Sequence, residues 1–161
     1  MEWRRGNFTV STDKSLLDRE AIHRFLSVDS YWARGIPRDV VDRSIDNALC
    51  FGLYEGVRQV GFARAVTDFA TFAYVGDVFV LPSHRGRGLS KWLMEIVMAH
   101  PRLQGLRRWS LATRDAHSLY ERFGFRTPAH PERLMEIVDF EIYRKGEAAE
   151  GKGGDSGRSG A

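Results

Sequence analysis

The sequence predicts an α/β (α+β) fold: a central mixed, mostly antiparallel β-sheet flanked by about four helices on both faces. Three observations carry this. Hydrophobic periodicities follow the order β-α-α-β-β-β-α-β-α-β. Three strand-like runs follow one another directly, the first two joined by the short turn "YEGVRQ", a hairpin signal. Helix and strand alternate only in the second half, which does not fit a doubly wound parallel sheet. At 161 residues the chain fits one domain. That length buries a core without disulfide or metal staples.

Each element has its own signal. "NFTVST" reads as a first strand. Ser15 and Asp18 offer a start for a helix, with Ala21, Ile22, Phe25 and Leu26 on one face. The loop "SVDSYWARGIP" follows. Pro37 suits the first turn of a second helix, in which Val40, Val41, Ile45, Ala48 and Leu49 keep helical spacing. Then come "LCFGLYE", "RQVGFARAVTD" and "TFAYVGDVFVL". Gly76 interrupts the third, which marks a bulge or a close backbone approach. The next helix places Leu89, Trp92, Leu93, Ile96 and Val97 in one stripe and ends at Pro101. "LRRWSLAT" reads as a fifth strand. "AHSLYERF" reads as a fourth helix, with Ala116, Leu119, Tyr120 and Phe123 on one face and Gly124 as C-cap. "LMEIVDFEIY" supplies one or two further strands. The folded domain is expected over residues 1–145. Residues 146–161, "GEAAEGKGGDSGRSGA", hold no aromatic or β-branched residue. Such a segment buries too little apolar area to offset its ordering entropy, so a disordered tail is expected.

Composition narrows the function classes. Net charge is +3, from 24 basic and 21 acidic residues. This modest excess, with no recognisable nucleic-acid module, does not point to nucleic acid. No apolar run approaches the ~20 residues of a membrane span, and "MEWRRGNFTV" lacks the apolar core of a signal peptide. Cytoplasmic residence is expected. The single cysteine, Cys50, lies in the apolar run "ALCFGLY". It can form neither an internal disulfide nor a multi-cysteine metal site, and it reads as a core thiol. No metal is called for.

One stretch carries chemistry. "VFVLPSHRGRGLSKWLMEIV" (residues 78–97) runs from a strand through a turn with Gly86 and Gly88 into a helix. The first N–H groups of that helix have no intrahelical partner. Its dipole places partial positive charge there. Glycines let a phosphate approach the backbone, and Arg85 and Arg87 add cationic charge. Two phosphate motifs are excluded. A Rossmann fingerprint needs glycine or alanine where Lys91 stands, and no Walker A pattern is present. Taken alone, the same turn also fits a plain surface loop.

This stretch resembles the acyl-CoA-binding motif of the GNAT superfamily of N-acetyltransferases, [QR]-x-x-G-x-[GA], read here as Arg85, Gly88 and Ser90. "LYERFGF" (residues 119–125) resembles the second signature of that family, usually written LYEKLGF. Both stand in family order and spacing, and the element order fits over roughly residues 5–145. The resemblance implies an acetyl-CoA cosubstrate. The backbone of Val78, Phe79 and Val80 then meets the pantetheine arm. The turn formed by Arg85, Gly86, Arg87, Gly88, Leu89 and Ser90 holds the pyrophosphate. Tyr120 sits at the place of the general acid. Thr113 sits where many members carry a CoA-contacting asparagine. Tyr31 and Trp32 fall in a wall of the acceptor site. Departures are Ser90 for glycine or alanine, Thr113 for asparagine, and the absence of any acid in "LRRWSLAT".

The base must therefore come from elsewhere. Asp77, just ahead of the pantetheine residues, is the candidate, with water as the other. An ion pair with an arginine is the competing reading of Asp77. Tyr120 competes with a core role, as do Tyr31, Trp32, Phe69, Phe72 and Tyr74. His84 reads as a turn residue beside phosphate and His117 as an exposed helix residue. The function implied is acetyl transfer from acetyl-CoA to the primary amine of a small molecule or peptide, by direct attack in a ternary complex. The alternative is a catalytically silent acyl-CoA-binding sensor. Expected partners include neither nucleic acid nor membrane; a homodimer is allowed.

Overall fold

In the computed structural model, which describes residues 1–143, the chain opens with a hairpin. Glu2–Arg5 (β1) turns at Gly6 and returns as Phe8–Ser11 (β2). The sequence reading has only the second of these. β1 is a largely exposed edge strand, and the charged run "EWRR" carries no clear apolar alternation. The sheet continues through Leu49–Glu55 (β3), Arg58–Thr67 (β4) and Phe72–Val80 (β5) to Arg108–Ser110 (β6). Its spatial order is simply β1-β2-β3-β4-β5-β6. Every neighbouring pair is antiparallel except β5–β6, which is parallel. The mixed, mostly antiparallel sheet with about four helices is thus realised.

Each face of the sheet has its own core. On one, Leu89–Ala99 (α3) buries the predicted stripe Leu89, Trp92, Leu93, Ile96 and Val97 against Val10, Phe51, Leu53, Ala63 and Val75. On the other, Arg19–Arg24 (α1) and Arg38–Asp46 (α2) set Ile22, Val41 and Ile45 over Cys50, Phe62 and Phe79. Cys50 is the expected core thiol, and burial pushes its pKa up to about 11.

Local chemistry sets the element ends. The Asp18 carboxylate accepts from Ala21 N at 2.9 Å and starts α1. Ser15 instead lies in a preceding 3₁₀ turn. After Arg24 the helix widens into a π-turn, Phe25–Asp29, closed by Ser30 N donating to Phe25 O at 2.9 Å. Pro37 stands one residue before α2 rather than inside it, and Ala48 and Leu49 lie beyond its end. β6 and His117–Glu121 (α4) are both shorter than their apolar patterns.

Two further differences bear on function. The β4–β5 register passes from Phe62↔Phe79 to Arg64↔Gly76, so β5 carries one extra residue. The left-handed residue of that bulge is Asp77, at φ +52°, rather than Gly76. Also, "LMEIVDFEIY" forms no strand among the described residues. It has the alternation of a strand, but it is not paired to any sheet edge, and Met135, Ile137 and Phe140 stand 97%, 106% and 84% exposed. The expected tail over 146–161 and the domain limit at 145 lie outside the described residues.

Candidate active site

The glycine turn is built by backbone angle. Gly86 and Gly88 adopt φ +74° and +71°, a conformation that costs an L-residue about 1–2 kcal/mol. No atom lies within 4 Å of where a Cβ on Gly86 would stand, and only Arg5 Nη2, at 3.6 Å, near one on Gly88. The space before the turn is therefore open. α3 starts directly after Gly88 with no side chain capping it. The first-turn N–H groups of Leu89, Ser90 and Lys91 thus lack helical partners and face outward with the positive end of the dipole. An anionic group fits this place.

A strand edge is exposed beside the turn. β5 and β6 pair only from Phe72↔Arg108 to Tyr74↔Ser110 and then diverge. Leu81 N donates to Val60 O at 2.8 Å. Alternation then turns the N–H and C=O of Val80 the other way, into the gap. The Arg85 guanidinium meets that carbonyl, Nε to O, at 3.1 Å. The Val80 N–H faces the gap from the same edge.

These parts line one cleft of about 350 Å³. It gathers Val78, Phe79, Val80, Arg85, Gly86, Gly88, Leu89 and Ser90 with Tyr31, Trp32 and Tyr120. Three expected residues stand outside its lining. Arg87 turns back, its guanidinium 4.8 Å over the Phe8 ring and Nη2 3.4 Å from Glu55. Thr113 Oγ1 accepts from Ala116 N at 3.1 Å, which shapes the entry to α4, and it lines a neighbouring groove that also touches Tyr120. Asp77 lies just behind the wall.

Tyr120 belongs to the core and to the cleft wall at once. Its ring packs on the α3-side core, edge-on to Phe125 at 6.0 Å, and the residue also lines the cleft. Burial pushes its pKa up to about 12, with Tyr31, Asp115 and Tyr74 adding to the effect. The hydroxyl is therefore held protonated at neutral pH.

The opposite wall is aromatic. Phe25, from the π-turn, stacks on Phe79 at 3.8 Å, and Tyr31 meets Trp32 edge-on at 5.1 Å. Tyr31 also reaches across the mouth. Its hydroxyl accepts from Arg114 N at 3.0 Å, and the Arg114 guanidinium lies 3.8 Å over its ring. Trp32 Nε1 donates to Asp77 Oδ1 at 3.0 Å. The other carboxylate oxygen, Oδ2, takes the Arg64 guanidinium at 2.5 Å. The candidate base Asp77 is thus held by an arginine and an indole at once. Both oxygens hold donors, and the ion pair of the competing reading is present.

Other features escape the sequence patterns. His84 lines the cleft next to the glycine turn, as a turn residue, but it is largely buried and bridges Ser83 Oγ and Glu55 Oε2. Asp29 and Asp115 line the cleft, and Arg5 brings a cation beside Gly88 from the unpredicted β1. Nothing in the local sequence of these residues marks them, because long-range packing brings them to the site. Among the described residues no cluster of three or more histidine, cysteine or acidic residues could hold a metal. No helix there is long and apolar enough to cross a membrane.

Comparison with known proteins fits the geometry. Residues 46–127, from the end of α2 to just past α4, match the acetyltransferase (GNAT) domain. The chain belongs to the GNAT acetyltransferase family. A Gibberella zeae protein named as a candidate acetyltransferase is 37% identical over 140 residues, spanning 73% of this chain and 78% of that one. A crystallised GNAT-family protein of Xanthomonas campestris pv. campestris is 61% identical, with a TM-score of 0.83, covering 84% of this chain and 96% of that one. A Clostridium acetobutylicum protein crystallised with acetyl-CoA shares the fold at 13% identity and a TM-score of 0.62, covering 82% and 95% of the two chains. The matched GNAT region takes in β5, the glycine turn and Tyr120. Tyr31 and Trp32 precede it.

Proposed function

We propose that this GNAT chain is an acetyl-CoA-dependent N-acetyltransferase. It moves the acetyl group to the primary amine of a small molecule or peptide by direct attack in a ternary complex. The observation that supports this best is the meeting, in one cleft, of an uncapped helix start, an unpaired strand edge and a protonated tyrosine. Bound there, acetyl-CoA supplies a thioester whose acyl carbon accepts the amine. The N–H groups at Leu89 and Ser90, with Arg85 and Arg5, hold the pyrophosphate. The edge at Val78, Phe79 and Val80 pairs with the amides of the pantetheine arm as an added strand does. The Val80 N–H points where negative charge grows on the carbonyl oxygen. The C–N bond forms as the C–S bond breaks, and Tyr120 gives its proton to the departing thiolate.

The acceptor enters between Tyr31 and Trp32. Asp29 gives that mouth a carboxylate that draws an ammonium group, while Asp115 is paired with Arg114 at 3.8 Å. Asp77 acts as a positioning residue that orients Trp32, and water takes the proton lost by the amine. A silent sensor would leave the placement of Tyr120 in the cleft without a role. A panel of primary amines tests the reading, with acetyl-CoA present and free thiol followed over time. Thiol release that depends on one class of amine supports it. Calorimetric binding of acetyl-CoA with no release for any amine would leave the sensor standing instead.

A further inference from the structure

A second cavity, of about 590 Å³, lies at the far end of α3 from the cleft. The glycine turn precedes the first residue of that helix, and His100 closes its last turn. The length of the helix sets the two ends ~16 Å apart. The cavity opens where β3 begins and β4 ends, and its lining includes His100, Arg102, Phe69, Lys14, Ala48 and Leu49. Acetyl transfer uses none of them.

His100 is the unexplained group. It is 2% exposed, with its ring edge-on to Phe51 at 5.6 Å. Nδ1 accepts from Arg102 N at 3.3 Å. Burial, with the Arg102 cation adding, holds its pKa below the ordinary value. The ring is therefore neutral at neutral pH, with its proton on Nε2. That N–H has no hydrogen-bond partner among the described residues, although a buried donor left unpaired is costly. His100 lines the cavity, so the donor serves a group bound there. Arg102 stands beside it, its guanidinium 3.7 Å over the Phe69 ring. Stacking covers a face of the guanidinium and leaves its N–H edges open. Those edges hold no partner among the described residues, and they form the fork that grips a carboxylate. Phe69 is held in place by strain. It adopts φ +60°, a left-handed conformation that an L-residue resists. Asp68 Oδ1 locks the turn around it, accepting from Ala70 N, Thr71 N and Phe72 N at 3.0, 2.8 and 3.1 Å.

The remaining charges limit what fits. Lys14 Nζ already donates to Asp46 O at 2.8 Å, and the Met1 ammonium to Thr12 Oγ1 at 3.0 Å. The Asp46 carboxylate, on the same rim, is held by Arg19 at 2.6 Å. The Arg102 fork and one neutral N–H suit the two oxygens of a single carboxylate. A dianion would meet the negative end of α2 at the same rim. Phe69, Ala48 and Leu49 supply apolar lining. We propose that this cavity binds a small organic monocarboxylate, its oxygens on Arg102 and His100 Nε2 and its apolar body against Phe69 and Leu49. This goes beyond acetyl transfer and does not depend on it.

Phenylacetate is the probe, titrated into the full chain and followed by ligand-observed NMR. A Kd of about 1 mM or tighter is expected, a modest gain for a ligand of that size. Saturating acetyl-CoA should leave it unchanged. Phenylacetamide, which has the same shape without the charge, should bind at least roughly tenfold more weakly. Arg102→Gln removes the fork from an exposed side chain and should weaken phenylacetate by roughly tenfold or more. Phe69→Asn removes the ring but installs a residue that tolerates the left-handed angle, and it should weaken the probe too. Both variants should keep the circular dichroism spectrum of the parent chain. No binding up to about 10 mM, or full affinity in either folded variant, overturns the proposal. Displacement of the probe by acetyl-CoA puts it in the cleft and also overturns it. So does inorganic phosphate that competes as strongly as phenylacetate itself, which would make the cavity a general anion patch.

Discussion

Replacing Asp77 separates holding a side chain from taking a proton. In the Arg64–Asp77 pair the side chains are 21% and 10% exposed. Removing one partner of a buried pair costs about 3–5 kcal/mol. Residual solvent contact lowers that here to about 2–4 kcal/mol. Asp77 also sits at φ +52°. Asparagine tolerates that angle, whereas alanine adds strain of about 1 kcal/mol. Asp77→Asn keeps an oxygen for Trp32 and a weaker, uncharged contact for Arg64, so a loss of about 1–3 kcal/mol is expected. Asp77→Ala should lose about 3–5 kcal/mol. Urea unfolding followed by circular dichroism measures both. In turnover, Asp77→Asn should keep the wild-type pH profile with little change in KM for the amine. Asp77→Ala frees Trp32 and should raise that KM. If Asp77→Asn removes the acidic limb of the pH–rate profile at unchanged stability, Asp77 is the base and the positioning argument is wrong.

Four other outcomes are expected. Gly88→Val places a Cβ at φ +71° and in front of the helix start, so calorimetry should show acetyl-CoA binding lost, at a stability cost of only about 1–2 kcal/mol. Tyr120→Phe should lower kcat by roughly 10²-fold, near the low end for general acid catalysis, with cofactor affinity unchanged; full kcat would end the acid role. The Tyr120 pKa is raised in the folded state, so its contribution to stability is whole below the unfolded value near ~10 and is lost as pH climbs toward about 12. Alkaline unfolding followed through that window should be shallower in Tyr120→Phe. Tyr54 buries its hydroxyl without a hydrogen-bond partner, so Tyr54→Phe should stabilise the fold by about 1–2 kcal/mol and raise Tm by about 2–8 °C.

Elements with a strong period were legible. The α3 stripe needs only one face of one helix, and β3, β4 and β5 lie where their runs lie. The glycine turn was legible too, since only glycine serves comfortably at Gly86 and Gly88. What escaped depends on contacts far along the chain. β1 is an edge strand whose charges hide its pairing with β2. The bulge fell on Asp77 because Arg64 and Trp32 stabilise an aspartate in a conformation usually left to glycine. The role of Asp77 could not be read from its neighbours in sequence, since its partners are 13 and 45 positions away. Asp29, Asp115 and Arg5 reach the cleft for the same reason. "LMEIVDFEIY" shows the opposite failure: its alternation is plain, but a strand also needs an edge to pair with.

The hydrogen bond from Trp32 to Asp77 has an optical consequence. Of the four tryptophans, Trp92 is buried, and Trp3 and Trp109 pack against the α3-side core. Trp32 is 42% exposed and stands at the mouth of the cleft. Its indole emits from a wetter setting than the others, and a soluble quencher reaches it first. On the proposed function, an amine settling against Tyr31 and Trp32 would shed that water and shield the ring, shifting the emission to shorter wavelength. The chain would then carry its own unlabelled reporter of acceptor binding, readable before any acetyl group moves.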